Sequence, residues 1–110
     1  MAFKSAFIYM APDANPEVHR AKIKTSTLEF TVVVIQFQNF DQAVDVSKSL
    51  VQSDGVQNII LCPGFTHEAV AKIKETVGAN VSVAVARADT PNNMLAIEIL
   101  TKEGWFPKNN

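Results

Sequence analysis

Cys62, His67 and Glu68 are the residues of this chain whose types and spacing could do covalent or acid–base chemistry, and they share the run Leu61-Cys62-Pro63-Gly64-Phe65-Thr66-His67-Glu68. An imidazole near a thiol can take its proton, and a helix N-terminus beside the sulfur would lower the thiol pKa further. The competing role for Cys62 is a packed thiol at a strand end, since free cysteine is among the most buried residue types. His67 and Glu68 are adjacent, so on a helix their side chains diverge by roughly 100° and do not clasp one metal ion from one face. The same turn offers a second chemistry. Backbone N–H groups of Phe65, Thr66 and His67 at a helix start, with the Thr66 hydroxyl, could hold an anion. Gly64 would let the backbone approach the ligand and could take φ > 0. Thr66 capping its own helix is the structural alternative. The turn lacks the glycine pattern of a dinucleotide or phosphate-loop fingerprint, so no cofactor is expected.

Asp13 and Arg87 complete the ligand-binding candidates, because each follows an apolar run that reads as a strand and would stand at the same sheet edge. Arg87 with Asp89 could bind and orient a carboxylate. The pair could instead bridge each other, and Asp89 in Asp89-Thr90-Pro91 suits a helix cap. The cluster His19-Arg20-Ala21-Lys22-Ile23-Lys24 could be a phosphate patch or the solvated face of a short helix. Its charges are mobile and screened, which makes the turn after Cys62 the better ligand-binding centre.

The elements that must position these residues follow from periodicity. Phe3 to Met10 reads as a first strand. Asn15-Pro16-Glu17 signals a helix start, predicting a short helix through Lys22. Leu28 to Phe37 is the most β-prone run, rich in β-branched and aromatic side chains, and lies next to an expected sheet edge. Asn39 caps the next helix, with Gln42 in capping-box position; Phe40, Ala43, Val44, Ser47, Leu50 and Val51 form its apolar face, and Gly55 follows its end. Ile59, Ile60 and Leu61 read as a strand buried on both faces, ended by Pro63-Gly64. Phe65, Ala69, Val70, Ile73 and Val77 repeat at helical spacing up to Gly78. Asn80 to Ala86 is a fourth strand. Thr90-Pro91 and Gly104 bracket a last helix carrying Met94, Leu95, Ile97 and Leu100, although Leu95 to Leu100 also fits a strand. Trp105-Phe106-Pro107 needs an apolar place, on the core or on a neighbouring subunit.

Charge and composition limit the partners. Net charge is −1 over 110 residues, which gives no electrostatic case for nucleic acid or an acidic membrane. No apolar run approaches the roughly 18 residues of a membrane span, and the start lacks a charged segment ahead of an apolar core, so the expectation is a cytoplasmic protein. A single cysteine excludes an internal disulfide and a multi-cysteine metal site, so no metal is expected. Hydrophobic residues make up 47% of the chain, slightly apolar for a small monomer, which points to a homo-oligomer.

Three stretches carry a resemblance: Ala6-Phe7-Ile8-Tyr9-Met10-Ala11-Pro12-Asp13-Ala14-Asn15-Pro16-Glu17-Val18-His19-Arg20, the turn from Leu61 to Val70, and Arg87-Ala88-Asp89. Together they resemble a family of small uncharacterised bacterial α/β proteins, a domain of unknown function, over most of residues 3 to 89. Gly64, Phe65 and Glu68 fit that family's turn, whereas glycine usually stands at the place of Pro63 and a small residue near Thr66. Beyond Asp89 the chain departs from it. The resemblance implies one compact domain and no particular chemistry.

The expectation is therefore a single α/β domain over residues 1–110, with a mainly parallel four-stranded sheet in order 2-1-3-4, covered by helices. Its expected function is binding a small anionic or polar metabolite at the carboxyl edge of the sheet, where open α/β sheets take ligands. The alternative is a homo-oligomeric interaction module without a small-molecule ligand. Whether the chain is an enzyme is left open by these residues.

Overall fold

Side chains alternating along Phe3–Ala11 (β1) give this strand two unlike faces, Lys4, Ala6, Ile8 and Met10 on one and Phe3, Ser5, Phe7 and Tyr9 on the other. The computed structural model describes residues 1–106, so Pro107 lies outside the described residues. β1 is the middle of a five-stranded sheet with Arg20–Lys24 (β2), Leu28–Gln36 (β3), Asn58–Leu61 (β4) and Ser82–Val85 (β5), in the order β2-β3-β1-β4-β5. β1 runs parallel to β3 and β4, and β4 parallel to β5, as the sequence predicts for the four strands it identifies. The α/β class and the order of those four strands hold.

The fifth strand replaces the short helix expected up to Lys22. Asn15 folds the chain into a turn: its Oδ1 accepts from Glu17 N–H at 3.0 Å, and its carbonyl from Val18 and His19 N–H at 3.0 and 2.8 Å. Arg20-Ala21-Lys22-Ile23-Lys24 then alternates with period two and pairs antiparallel with β3, Lys24 opposite Glu29 and Arg20 opposite Val33. The signal was this alternation, masked by a good helix start just before it. β2 closes the side of β3 that the sequence placed at a sheet edge, and its three cations guard the new edge.

Helices Phe40–Asp54 (α1) and His67–Val77 (α2) pack against each other, and Phe40 and Phe65 meet with ring centroids 5.5 Å apart. Asn39 Oδ1 accepts from Gln42 N–H at 3.0 Å, and Gly55 at φ 71° ends α1 in the left-handed conformation that favours glycine. Gln42 departs from a capping box, since its Oε1 accepts from Gln36 N–H at 2.7 Å and ties the helix to the end of β3. Its buried face is Ala43, Val46, Ser47 and Leu50; Val46 was not expected there. Ile8, Ile35, Ile59, Leu61, Leu50 and Ile73 are fully buried between the helices and the sheet, each contributing roughly 1.5–3 kcal/mol by leaving water.

Among the described residues, α1 and α2 cover one face of the sheet only. β3–α1–β4 and β4–α2–β5 cross the sheet in the same direction, and right-handed crossovers then put both helices on the same side. The β1-to-β3 connection runs the other way and would place a helix opposite, but it contains β2 instead. Asn58 and Ile60 are accordingly only half-buried, which corrects the expectation of a strand buried on both faces. The last segment is a helix, Asn92–Lys102 (α3), without a side-chain cap at Thr90-Pro91, and Gly104 at φ 78° follows it. None of its residues is fully buried. Among the described residues no helix is long and apolar enough to cross a membrane.

Candidate ligand-binding site

β1, β3 and β4 end side by side, and Met10 near the end of β1 with Phe37 and Cys62 just past β3 and β4 line one cavity at the carboxyl edge of the sheet. α3 lies over that edge. Its Asn93, Ala96, Ile97 and Leu100 fall at i, i+3, i+4 and i+7, one face of a helix, and wall one side of a half-open cavity of about 320 Å³. Trp105 and Phe106 pack edge-on to Phe37 at centroid distances of 5.8 and 5.7 Å, which fixes the chain after α3. This is the apolar place that the Trp105-Phe106 pair requires.

Among the described residues the lining is apolar apart from Tyr9, Gln38, Asn93 and Cys62, and no charged side chain takes part in it. Gln38 has φ 60°, the left-handed region that a non-glycine residue seldom occupies. Its N–H meets Met10 Sδ at 3.4 Å, so the turn between β3 and α1 is held against the cavity wall. A strained residue on a cavity rim is a pointer to function, because such backbone persists only where surrounding contacts hold it.

Of the residues singled out by sequence, the cavity gathers Cys62 and Gly64. Gly64 serves by its size and not by its φ, which is not positive: a Cβ there would stand 2.7 Å from Met10 Cε. Cys62 is 5% exposed, and burial pushes its thiol pKa up, with only partial relief from the backbone N–H of Gly64. That is the opposite of a thiolate readied for attack. Phe65 is buried in the core and its N–H donates to Cys62 O at 3.3 Å. Thr66 caps α2, its Oγ1 accepting from Ala69 N–H at 3.2 Å. His67 and Glu68 are exposed in the first turn of α2, outside the cavity wall.

Asp13 is likewise exposed outside it. Arg87 Nε donates to Asp89 Oδ1 at 2.6 Å in an exposed pair, so Asp89 bridges instead of capping α3. His19 accepts from Asn15 N–H at 2.8 Å through Nδ1, which commits it to its own turn.

Sequence reasoning missed Phe37, Gln38, Asn93 and Ala96 because they bear no reactive group. Their signal was positional: a Gln-Phe-Gln-Asn turn leaving the most apolar strand, and a last helix apolar on more than one side.

Residues 3–99 match the model of a Family of unknown function (DUF6506), and the chain belongs to that family. The match continues past Asp89 as far as Ile99, so most of α3, where the sequence suggested a departure, lies inside it. No curated protein and no solved structure matches the chain significantly.

Proposed function

We propose that this family member binds a small molecule in the cavity between the carboxyl edge of the sheet and α3. The observation that carries the reading is the cavity itself: about 320 Å³ is within the range of ligand sites, and an apolar wall with a few polar groups is their usual composition. The lining narrows the metabolite expected from sequence. With no cation among the described residues of the wall, a fully ionised anion would lose its hydration without a partner there, whereas a largely apolar molecule with one or two polar groups meets Gln38, Asn93 and the Tyr9 hydroxyl. His67 and Glu68 lie outside the wall and Cys62 is held protonated, so the reading is of binding, not catalysis. A free buried Cys62 suits a reducing compartment, and the proposal is of a cytoplasmic binding protein.

Trp105, the single tryptophan, lines the cavity and reports on it. The test titrates the full chain with N-phenyl-1-naphthylamine, a neutral apolar dye, and with its sulfonated anionic analogue, following Trp105 emission. The expected result is saturable quenching by the neutral dye, weaker quenching by the anion, and loss of both in Ala96→Phe, which fills the cavity from an exposed helix position. Quenching unchanged in Ala96→Phe would overturn the site, and preference for the anion would overturn the ligand class.

A further inference from the structure

We infer that the bare face of the sheet is an interface, and that its occupant is a second copy of this chain packed face to face. The strand register separates the two faces completely. The five charged side chains of the strands, Lys4, Arg20, Lys22, Lys24 and Glu29, all project on the side of α1 and α2. The opposite face presents Phe7, Phe30, Val32, Val34 and Ile60 with no charge among them, and Tyr9 at its end is 47% exposed. Its Asn58 Nδ2 donates to Ser5 Oγ at 2.9 Å, so an apolar partner would not strand that pair.

A second copy fits this surface for three reasons. In an isologous contact the patch meets itself about a two-fold axis, so charges near that axis would face their own kind; a face without charges is compatible with itself. A partner of different sequence that used charge for selectivity would find none to read here. The area is also of the right order. With strands about 4.8 Å apart and rising about 3.3 Å per residue, the face spans roughly 500 Å² in projection. Side chains standing off the sheet raise its accessible area toward the ~800 Å² per partner of stable complexes. Edge-to-edge pairing through β3 is closed by β2.

The contact is independent of the cavity reading, since its central residues Phe30, Val32 and Ile60 take no part in the cavity wall. The test is the mass in solution of the full chain by light scattering at high micromolar concentration. Wild type should give twice 12.0 kDa. Val32→Lys, which puts an ammonium at the centre of the face, should give a single-chain mass, with circular dichroism confirming the fold. Should Val32→Lys fail to fold, the double variant Ile23→Lys/Ala84→Lys decides, because both side chains are exposed in the single chain and no core contact is lost. A wild type that is monomeric overturns the inference. So does a dimer that survives these substitutions but dissociates in Leu95→Lys, which would put the contact on the outer side of α3.

Discussion

Gly64 lies so close to Met10 that a Cβ built on it would stand 2.7 Å from Met10 Cε. The neighbour is the free end of a flexible thioether, which can turn aside, and the glycine does not occupy positive φ. Gly64→Ala should therefore fold, at a cost of about 1 kcal/mol, the low end of overpacking penalties. The displaced methyl has the cavity to enter. Neutral-dye binding should weaken several-fold in a variant whose melting temperature falls by only a few degrees. Normal dye affinity in folded Gly64→Ala would mean that Met10 moves elsewhere and does not set the cavity's size.

Ser47 is fully buried in the face that α1 turns to the core, and its Oγ has no hydrogen-bond partner among the described residues. Ser47→Ala removes that unpaired hydroxyl and leaves the methylene in place. Stability should rise by about 1 kcal/mol, with melting about 4 °C higher. A fall in melting temperature would show that the hydroxyl is in fact bonded, to a buried water for instance.

Glu29 accepts from Lys22 at 3.1 Å, with Lys24 and Lys4 at 3.6 and 3.8 Å. The Lys22 hydrogen bond first, and the charges of the three lysines with it, hold the Glu29 carboxyl below its ordinary value of 4.5. A carboxyl depressed in the folded chain stabilises fully above the unfolded value and loses that contribution as pH falls through the folded one. Wild type should thus melt above Glu29→Gln between pH 5 and pH 7. The gap should shrink as pH falls from about 4.5 through the lower folded value, and narrow in high salt. Equal melting temperatures at pH 7 would count the cluster as a surface ornament without effect on stability.

These predictions draw on both what the sequence showed and what it hid. Four strands, the helices α1 and α2 and the capping residues Asn39, Thr66 and Gly55 were legible because apolar period and cap chemistry are local, whereas α3, whose Leu95 to Leu100 also fits a strand and whose expected cap is not made, was left between the two. β2 was not legible, because five alternating residues beside Asn15-Pro16-Glu17 carry less local signal than a helix start, and only pairing with β3 decides between them. That single error hid the bare face, since a helix there would have covered it. The cavity was half legible. Cys62 and Gly64 mark its floor, but its wall comes from residues far apart in the chain, Phe37 and Leu100 among them, whose side chains have nothing to advertise except volume.

The last prediction concerns the sulfur that the sequence offered as a nucleophile. Cys62 is buried beside Gly64, burial raises its pKa, and among the described residues no hydrogen bond joins it to His67. A thiol in that state is a poor nucleophile at neutral pH, because the thiolate is the reactive form. Reaction with a small disulfide reagent at pH 7 should be at least about tenfold slower in the folded chain than in urea. The rate should climb steadily with pH, without a plateau below the ordinary thiol range, and His67→Ala should not change it. Neutral apolar dye should slow it further, since the sulfur lines the cavity the dye fills. Rapid reaction at pH 6 that disappears in His67→Ala would restore the imidazole-activated thiolate and turn the cavity from a binding site into a catalytic one.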